Sequence, residues 1–254
     1  MIRRFLLPLT VLCASAAQPD VFIVQDTPEP ILVLSRFLEA HGHKTAVEDQ
    51  SHFRAHMKTV KPRAIFMYLH HTMDDDIEAS LISYAENGGR LIVLHHGIAS
   101  GRMKNKRWME FLGVRIESRE APVYSWDVIR CDFELIQLNS RSPITTRGVH
   151  YPGTTSYTPS DEPSAEGKFP VLTLPQTELF WNQVFTDGRR KTVLFGMKGV
   201  TGGKTYMQDR AGWMMPVGKG HVLYFMPGHS PRDFENPGYA QILLNAVECE
   251  LPAN

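Results

Sequence analysis

Three short runs, Val21–Val24, Ala64–Leu69 and Leu91–Leu94, are almost wholly apolar and are separated by stretches of helical spacing. Runs this short with no polar alternation read as strands buried on both faces, as in a sheet sandwiched between helices. Between them, Ile31–Ala40 has helical spacing with Gly42 placed to cap it, and Ile77, Leu81, Ile82 and Ala85 recur every three to four residues after a cap at Thr72 or Asp74. This alternation predicts a parallel sheet covered on both faces.

The second half is less regular. Tyr124–Cys131 and Lys191–Met197 read as strands, and Tyr151–Gly167 as a long Pro-, Ser-, Thr- and Gly-rich loop. Trp213–Val217 and His221–Met226 form a hairpin around Gly218-Lys219-Gly220, and a closing helix runs from about Pro237 to Leu251. With 254 residues, no internal repeat and no linker, one elaborated α/β domain is the economical reading.

Lys plus Arg equals Asp plus Glu at 27 each, so no basic excess points to nucleic acid. At the N-terminus, Arg3 and Arg4 precede the apolar run Phe5–Cys13 and the small residues Ala14–Ala17. That is the pattern of a secretory signal peptide, with an uncleaved anchor as the alternative. The expectation is a leader over 1–17, cleaved near Ala16 or Ala17, and an exported periplasmic or extracellular domain over 18–254 with no transmembrane anchor. Cleavage leaves Cys131 and Cys249, which match no zinc spacing and read either as a disulfide pair or as small buried residues.

In open α/β sheets, ligands bind beyond the carboxyl ends of the strands. Here those ends carry His70-His71, His95-His96 and, after Phe225-Met226-Pro227-Gly228, His229. Imidazole is suited both to acid/base work near neutral pH and to metal ligation. By position His95 and His229 read as functional, His71 and His96 stay open between site and structure, and His41, His43, His52, His56, His150 and His221 read as ordinary polar groups. Glu178, in Pro175-Gln176-Thr177-Glu178-Leu179-Phe180-Trp181, is the best carboxylate candidate. Its apolar neighbours would raise its pKa toward that of a general acid or base, and the alternative is a helix-start or strand-edge carboxylate. A divalent metal such as zinc would need ligands assembled from distant segments, with His95, Glu178 and His229 the candidates, since no HExxH motif occurs. Trp126, Trp181 and Trp213 either stack on a sugar ring or pack in the core.

The segments Ala85–His95, Trp108–Gly113, Ser142–Thr145, Thr177–Phe180 and Gly218–His229, leading into Phe234–Pro237, occur in the order seen in a known family. The sequence resembles the ThuA-like (trehalose utilisation) proteins of the class I glutamine-amidotransferase-like superfamily. The resemblance implies a flavodoxin-like three-layer α/β fold whose mostly parallel central sheet is elaborated by extra strands and loops. It implies a role in carbohydrate catabolism, on a sugar or an oxidised (3-keto) glycoside, with His95, Glu178 and His229 lining one pocket. His96, His70 and Trp181 are taken as binding residues beside them. The superfamily's elbow cysteine corresponds roughly to the His95 region, so glutamine hydrolysis is not expected. The chain departs from the family in Gln25–Pro30, in Ser142 where the family has His, and in the Tyr151–Gly167 loop. Two functions fit: a hydrolase or lyase working by acid/base or metal-assisted chemistry, and a non-catalytic carbohydrate-binding or accessory protein.

Overall fold

The computed structural model describes residues 18–57, 59–98, 104–105, 107–123, 125–159, 165–188 and 191–252, so the leader reading over 1–17 and the Tyr124 end of the expected strand lie outside it. The first half alternates as expected: β1 (Val21–Gln25), α1 (Pro28–Ala40), β2 (Thr45–Glu48), α2 (Gln50–His56), β3 (Ala64–Tyr68), α3 (Asp75–Glu86) and β4 (Arg90–Leu94). Every residue of β1 and β3 is buried. α2 has no apolar period to announce it, since only Phe53 is buried. A polar cap starts it instead: Asp49 Oδ1 accepts the Ser51 and His52 N–H groups, each at 2.9 Å.

β4 runs into a 3₁₀ turn, His95–Ile98, and then come α4 (Trp108–Leu112), β5 (Val114–Arg115), β6 (Asp127–Gln137), α5 (Pro143–Thr146) and β7 (Gly153–Tyr157). β8 (Gly167–Trp181), β9 (Val184–Phe185), β10 (Thr192–Thr201), β11 (Lys204–Val217), β12 (Gly220–Phe225), α6 (Pro231–Glu235) and α7 (Pro237–Glu248) complete the chain. Ten strands form one sheet in the order β2-β1-β3-β4-β12-β11-β10-β6-β8-β7, and β5 pairs with β9 separately.

From β2 to β12 all pairings are parallel, in the order 2-1-3-4-5 of flavodoxin-like sheets. β1 to β2 moves one way along the sheet, and β2 to β3 to β4 moves the other. Right-handed crossovers therefore put α1 on one face and α2 and α3 on the opposite one. The packing agrees: α1 contacts α6 and α7, while α2 contacts α3.

Beyond β12 every pairing is antiparallel. The sheet is thus mixed, not mostly parallel, because a long meander extends the parallel half. Part of the expected Tyr151–Gly167 loop is β7, and Glu178 lies within the long strand β8. Pro170 and Pro175 conceal β8 in the sequence, since proline argues against a strand interior. Pro170 is tolerated opposite the edge strand β7, and Pro175 at a bulge.

That bulge places the site. Between Cys131 and Phe133 of β6 the register with β8 shifts, and Gln176 takes a left-handed φ of 50°. Asp132 Oδ1 pins it, accepting the Gln176 backbone N–H at 2.9 Å and its Nε2 at 2.8 Å. β8 is four strands from β12, a separation of about 19 Å in a flat sheet at ~4.8 Å per strand. Yet Phe180 N lies 3.3 Å from Met226 Sδ, just past β12. The antiparallel half therefore curls back over the carboxyl ends of the parallel strands.

The β11–β12 turn is also tightly set. Gly218 has φ 55°, and a Cβ there would lie 2.3 Å from the Glu86 carbonyl oxygen at the end of α3. Gly218→Ala should lower stability by roughly 1–3 kcal/mol through backbone strain and this overlap. The check is a fall in urea midpoint at unchanged m-value; an unchanged midpoint would count against this packing.

Candidate functional site

Four strands deliver polar side chains to one edge. β1 leads into Asp26, β3 into His70, β4 into His95 and His96, and β12 into His229, while the curled β8 brings Glu178 down onto them. The imidazole nitrogens His95 Nε2, His96 Nε2 and His229 Nδ1 lie 3.4, 3.5 and 3.3 Å from a single atom, Glu178 Oε2. The other carboxylate oxygen, Oε1, accepts from Arg130, which the β6–β8 register sets directly opposite Glu178.

His95 is fully buried, and its φ of 49° is a left-handed conformation uncommon for a residue with a side chain. The conformation turns the chain out of β4 and into the 3₁₀ turn. His95 Nδ1 lies 2.9 Å from the Met226 carbonyl oxygen. A carbonyl only accepts, so Nδ1 carries the hydrogen and Nε2 presents a lone pair toward Glu178. Burial pushes the His95 pKa down to about 4, so the ring is neutral at pH 7. Burial alone would raise the Glu178 pKa, but the donors around its carboxylate, the Arg130 guanidinium among them, hold it well below the usual carboxylate range. This reverses the raised pKa expected from its apolar sequence neighbours. Beyond these approaches of the three imidazoles to Oε2, His95 Nε2 and Glu178 Oε2 are buried with no hydrogen-bond partner.

The surroundings fix these groups. Phe180 packs on the His95 and His96 rings, with centroids 4.9 and 4.7 Å apart. The Tyr68 hydroxyl donates to the Gly228 carbonyl at 2.7 Å. Asp233, fully buried, accepts from Thr177 Oγ1 at 2.8 Å and from the Gly228 and His229 backbone N–H groups at 2.9 and 2.7 Å. It ties the His229 loop to the strand that carries Glu178.

The family model described as ThuA, trehalose utilisation, matches residues 19–249. The chain belongs to the ThuA family. Its fold is similar to that of a ThuA-like protein from Bacteroides uniformis ATCC 8492, at 15% identity and TM-score 0.60, with 94% of each chain covered. It is also similar to part of a β-galactosidase from Rahnella sp. R3, at 11% identity and TM-score 0.57, over 93% of this chain and 32% of that one. A β-galactosidase from Bacillus circulans sp. alkalophilus gives 8% identity and TM-score 0.53, over 90% of this chain and 30% of that one. No curated protein matches the chain.

In this ThuA-family chain, His95, Glu178, His229, His96 and His70 meet at one edge. Trp181 does not join them: strand alternation turns it to the face opposite Glu178 and Phe180, where it packs edge-on against Tyr206 at 5.7 Å. Trp213 is a core residue with no exposure, while Trp126 is half-buried beside Phe180. Cys131 and Cys249 are buried free thiols and do not pair. His41 Nδ1 meets the Phe37 carbonyl oxygen at 2.8 Å, as a helix-terminal histidine should. Sequence reading missed Arg130, Asp26, Thr177 and Asp233. Of these, Thr177 lay in a segment that carries the family resemblance, and Asp26 in the departure from the family after β1.

Asp233→Ala removes the acceptor of two backbone N–H groups and of Thr177, and should lower stability by roughly 2–4 kcal/mol in urea unfolding at pH 7. A change within about 0.5 kcal/mol would show that Asp233 does not brace the His229 loop.

Proposed function

We propose that this protein acts on a sugar or glycoside, with 3-keto-glycosides the favoured class, through a divalent metal held by His95, Glu178 and His229. One observation carries the reading: His95 Nε2 and Glu178 Oε2 face each other at 3.4 Å in a buried space, and neither has a hydrogen-bond partner. With Nδ1 turned to the Met226 carbonyl, a neutral His95 offers a lone pair at Nε2, and a cation held between it and the carboxylate would satisfy both groups. Ligand atoms on His95, Glu178 and His229 all lie within 4.8 Å of one another. The contacts of 3.4 and 3.3 Å to Glu178 Oε2 match the separation of about 3.3–3.6 Å between ligands around a tetrahedral ion with bonds of about 2.0–2.2 Å. His95 is also backed by a carbonyl acceptor, as metal-bound histidines are.

Two imidazoles and a carboxylate suit zinc or a similar first-row ion. Such an ion supplies polarisation of a carbonyl or glycosidic oxygen, which favours proton loss beside a carbonyl and hydrolysis or elimination at the adjoining bond. Glu178 is too acidic to serve as a proton donor, so its part is to hold positive charge. Arg130 keeps its Oε1 engaged and its Oε2 turned to the histidines. His229, with about a quarter of its side chain exposed, faces the solvent side from which substrate would enter. Export before action fits the N-terminal leader pattern, and among the described residues no helix is long and apolar enough to cross a membrane.

The test is elemental analysis of the purified protein, with a screen of glycosides and 3-keto-glycosides before and after chelation. The expected result is stoichiometric metal, with turnover lost on chelation and reduced on the order of 100-fold or more in folded His95→Ala and Glu178→Gln. Metal-free protein that cannot be loaded, or variants with parental turnover, would overturn the reading. Sugar binding without any product would favour the accessory role.

A further inference from the structure

His70 and His96 lie beside the proposed metal ligands but are not needed by them. Their rings are 4.9 Å apart, and one nitrogen from each of His70, His95 and His96 lies within 4.8 Å of the others. His95 has a single lone pair, because Met226 O holds its other nitrogen. It therefore serves only one ion, which leaves His70 and His96 as a separate pair of imidazole donors.

His70 is prepared as a ligand in the same manner as His95. Its Nδ1 lies 2.9 Å from Asp26 Oδ1, and a carboxylate accepts, so Nδ1 carries the hydrogen and Nε2 presents the lone pair. Asp26 is anchored in turn by the His70 N–H at 2.7 Å and the His71 N–H at 2.8 Å. Carboxylate behind imidazole is the arrangement that orients metal-binding histidines. His96 Nε2 lies 3.5 Å from Glu178 Oε2, so the carboxylate oxygen that serves the first group is also next to His96.

We propose that the edge holds a second divalent cation, bound by His70 and His96 with Glu178 Oε2 shared between the two ions and Asp26 positioning His70. This rests on the first metal site proposed above. Two ions that share an oxygen are a recurrent way to hold both partners of a bond-breaking step. Donors that are mostly imidazole favour first-row transition ions over magnesium or calcium.

The experiment loads the full chain with Zn²⁺ alone and measures bound equivalents by elemental analysis and calorimetry, with circular dichroism to confirm folding. The parent should hold two equivalents. His70→Gln and His96→Gln should each hold one, and Asp26→Asn should weaken the second equivalent by about 10–100-fold while leaving the first unchanged. His229→Gln should lose the other equivalent. One equivalent in the parent, or two in folded His70→Gln, would overturn the second site and leave the first intact. None in the parent would overturn both.

Discussion

The arrangement at the strand ends depends on holding two acceptors face to face in a buried space. Left alone, His95 Nε2 and Glu178 Oε2 would each turn to find a donor or solvent, since an unpaired buried acceptor costs about 1–3 kcal/mol and a buried charge more. Neither can turn. The Met226 carbonyl and the Phe180 ring fix His95, and Arg130 fixes the carboxylate. Met226 follows β12, and the bulge at Gln176 carries Glu178 into range. The parallel half supplies imidazoles, the antiparallel half supplies the negative charge, and the curl of the sheet is what makes them one site.

How much of this could be read beforehand follows from the range of the interactions involved. The parallel half was legible because burial on both faces leaves uninterrupted apolar runs, as in β1, β3 and β4. His95 and His229 were legible because strand ends can be located without knowing what lies across from them. Glu178 was legible mainly through the resemblance to ThuA-like proteins. Its chemistry was misread, because apolar neighbours in sequence raise a carboxylate's pKa whereas neighbours in space lower it here. Arg130 depends on a register shift that no local pattern announces, and β8 hides behind two prolines that its bulge and edge pairing accommodate. Trp181 shows the limit of proximity in sequence: three residues from Glu178, it lies on the other face.

The left-handed backbone at His95 belongs to the same account. Residues with φ near this value persist where the surroundings leave no alternative, and such positions gather at functional sites. Gly228 lets the partner loop pass, since a Cβ on it would lie 3.1 Å from His95 Cβ.

The place of β12 has a consequence for how the chain reaches this state. It is among the last strands made, yet it lies between β4 and β11 in the middle of the sheet. Until it arrives, β4 has an open, apolar edge and the meander has nothing to join. The two halves cannot be welded during synthesis, and the decisive pairing, Leu91–Leu94 with Val222–Phe225, closes a loop of more than a hundred residues. Topologies of this kind fold slowly and expose sticky edges while they do so. A protein built this way brings Glu178 and His229 to the histidines of β3 and β4 only in the final closure of the sheet.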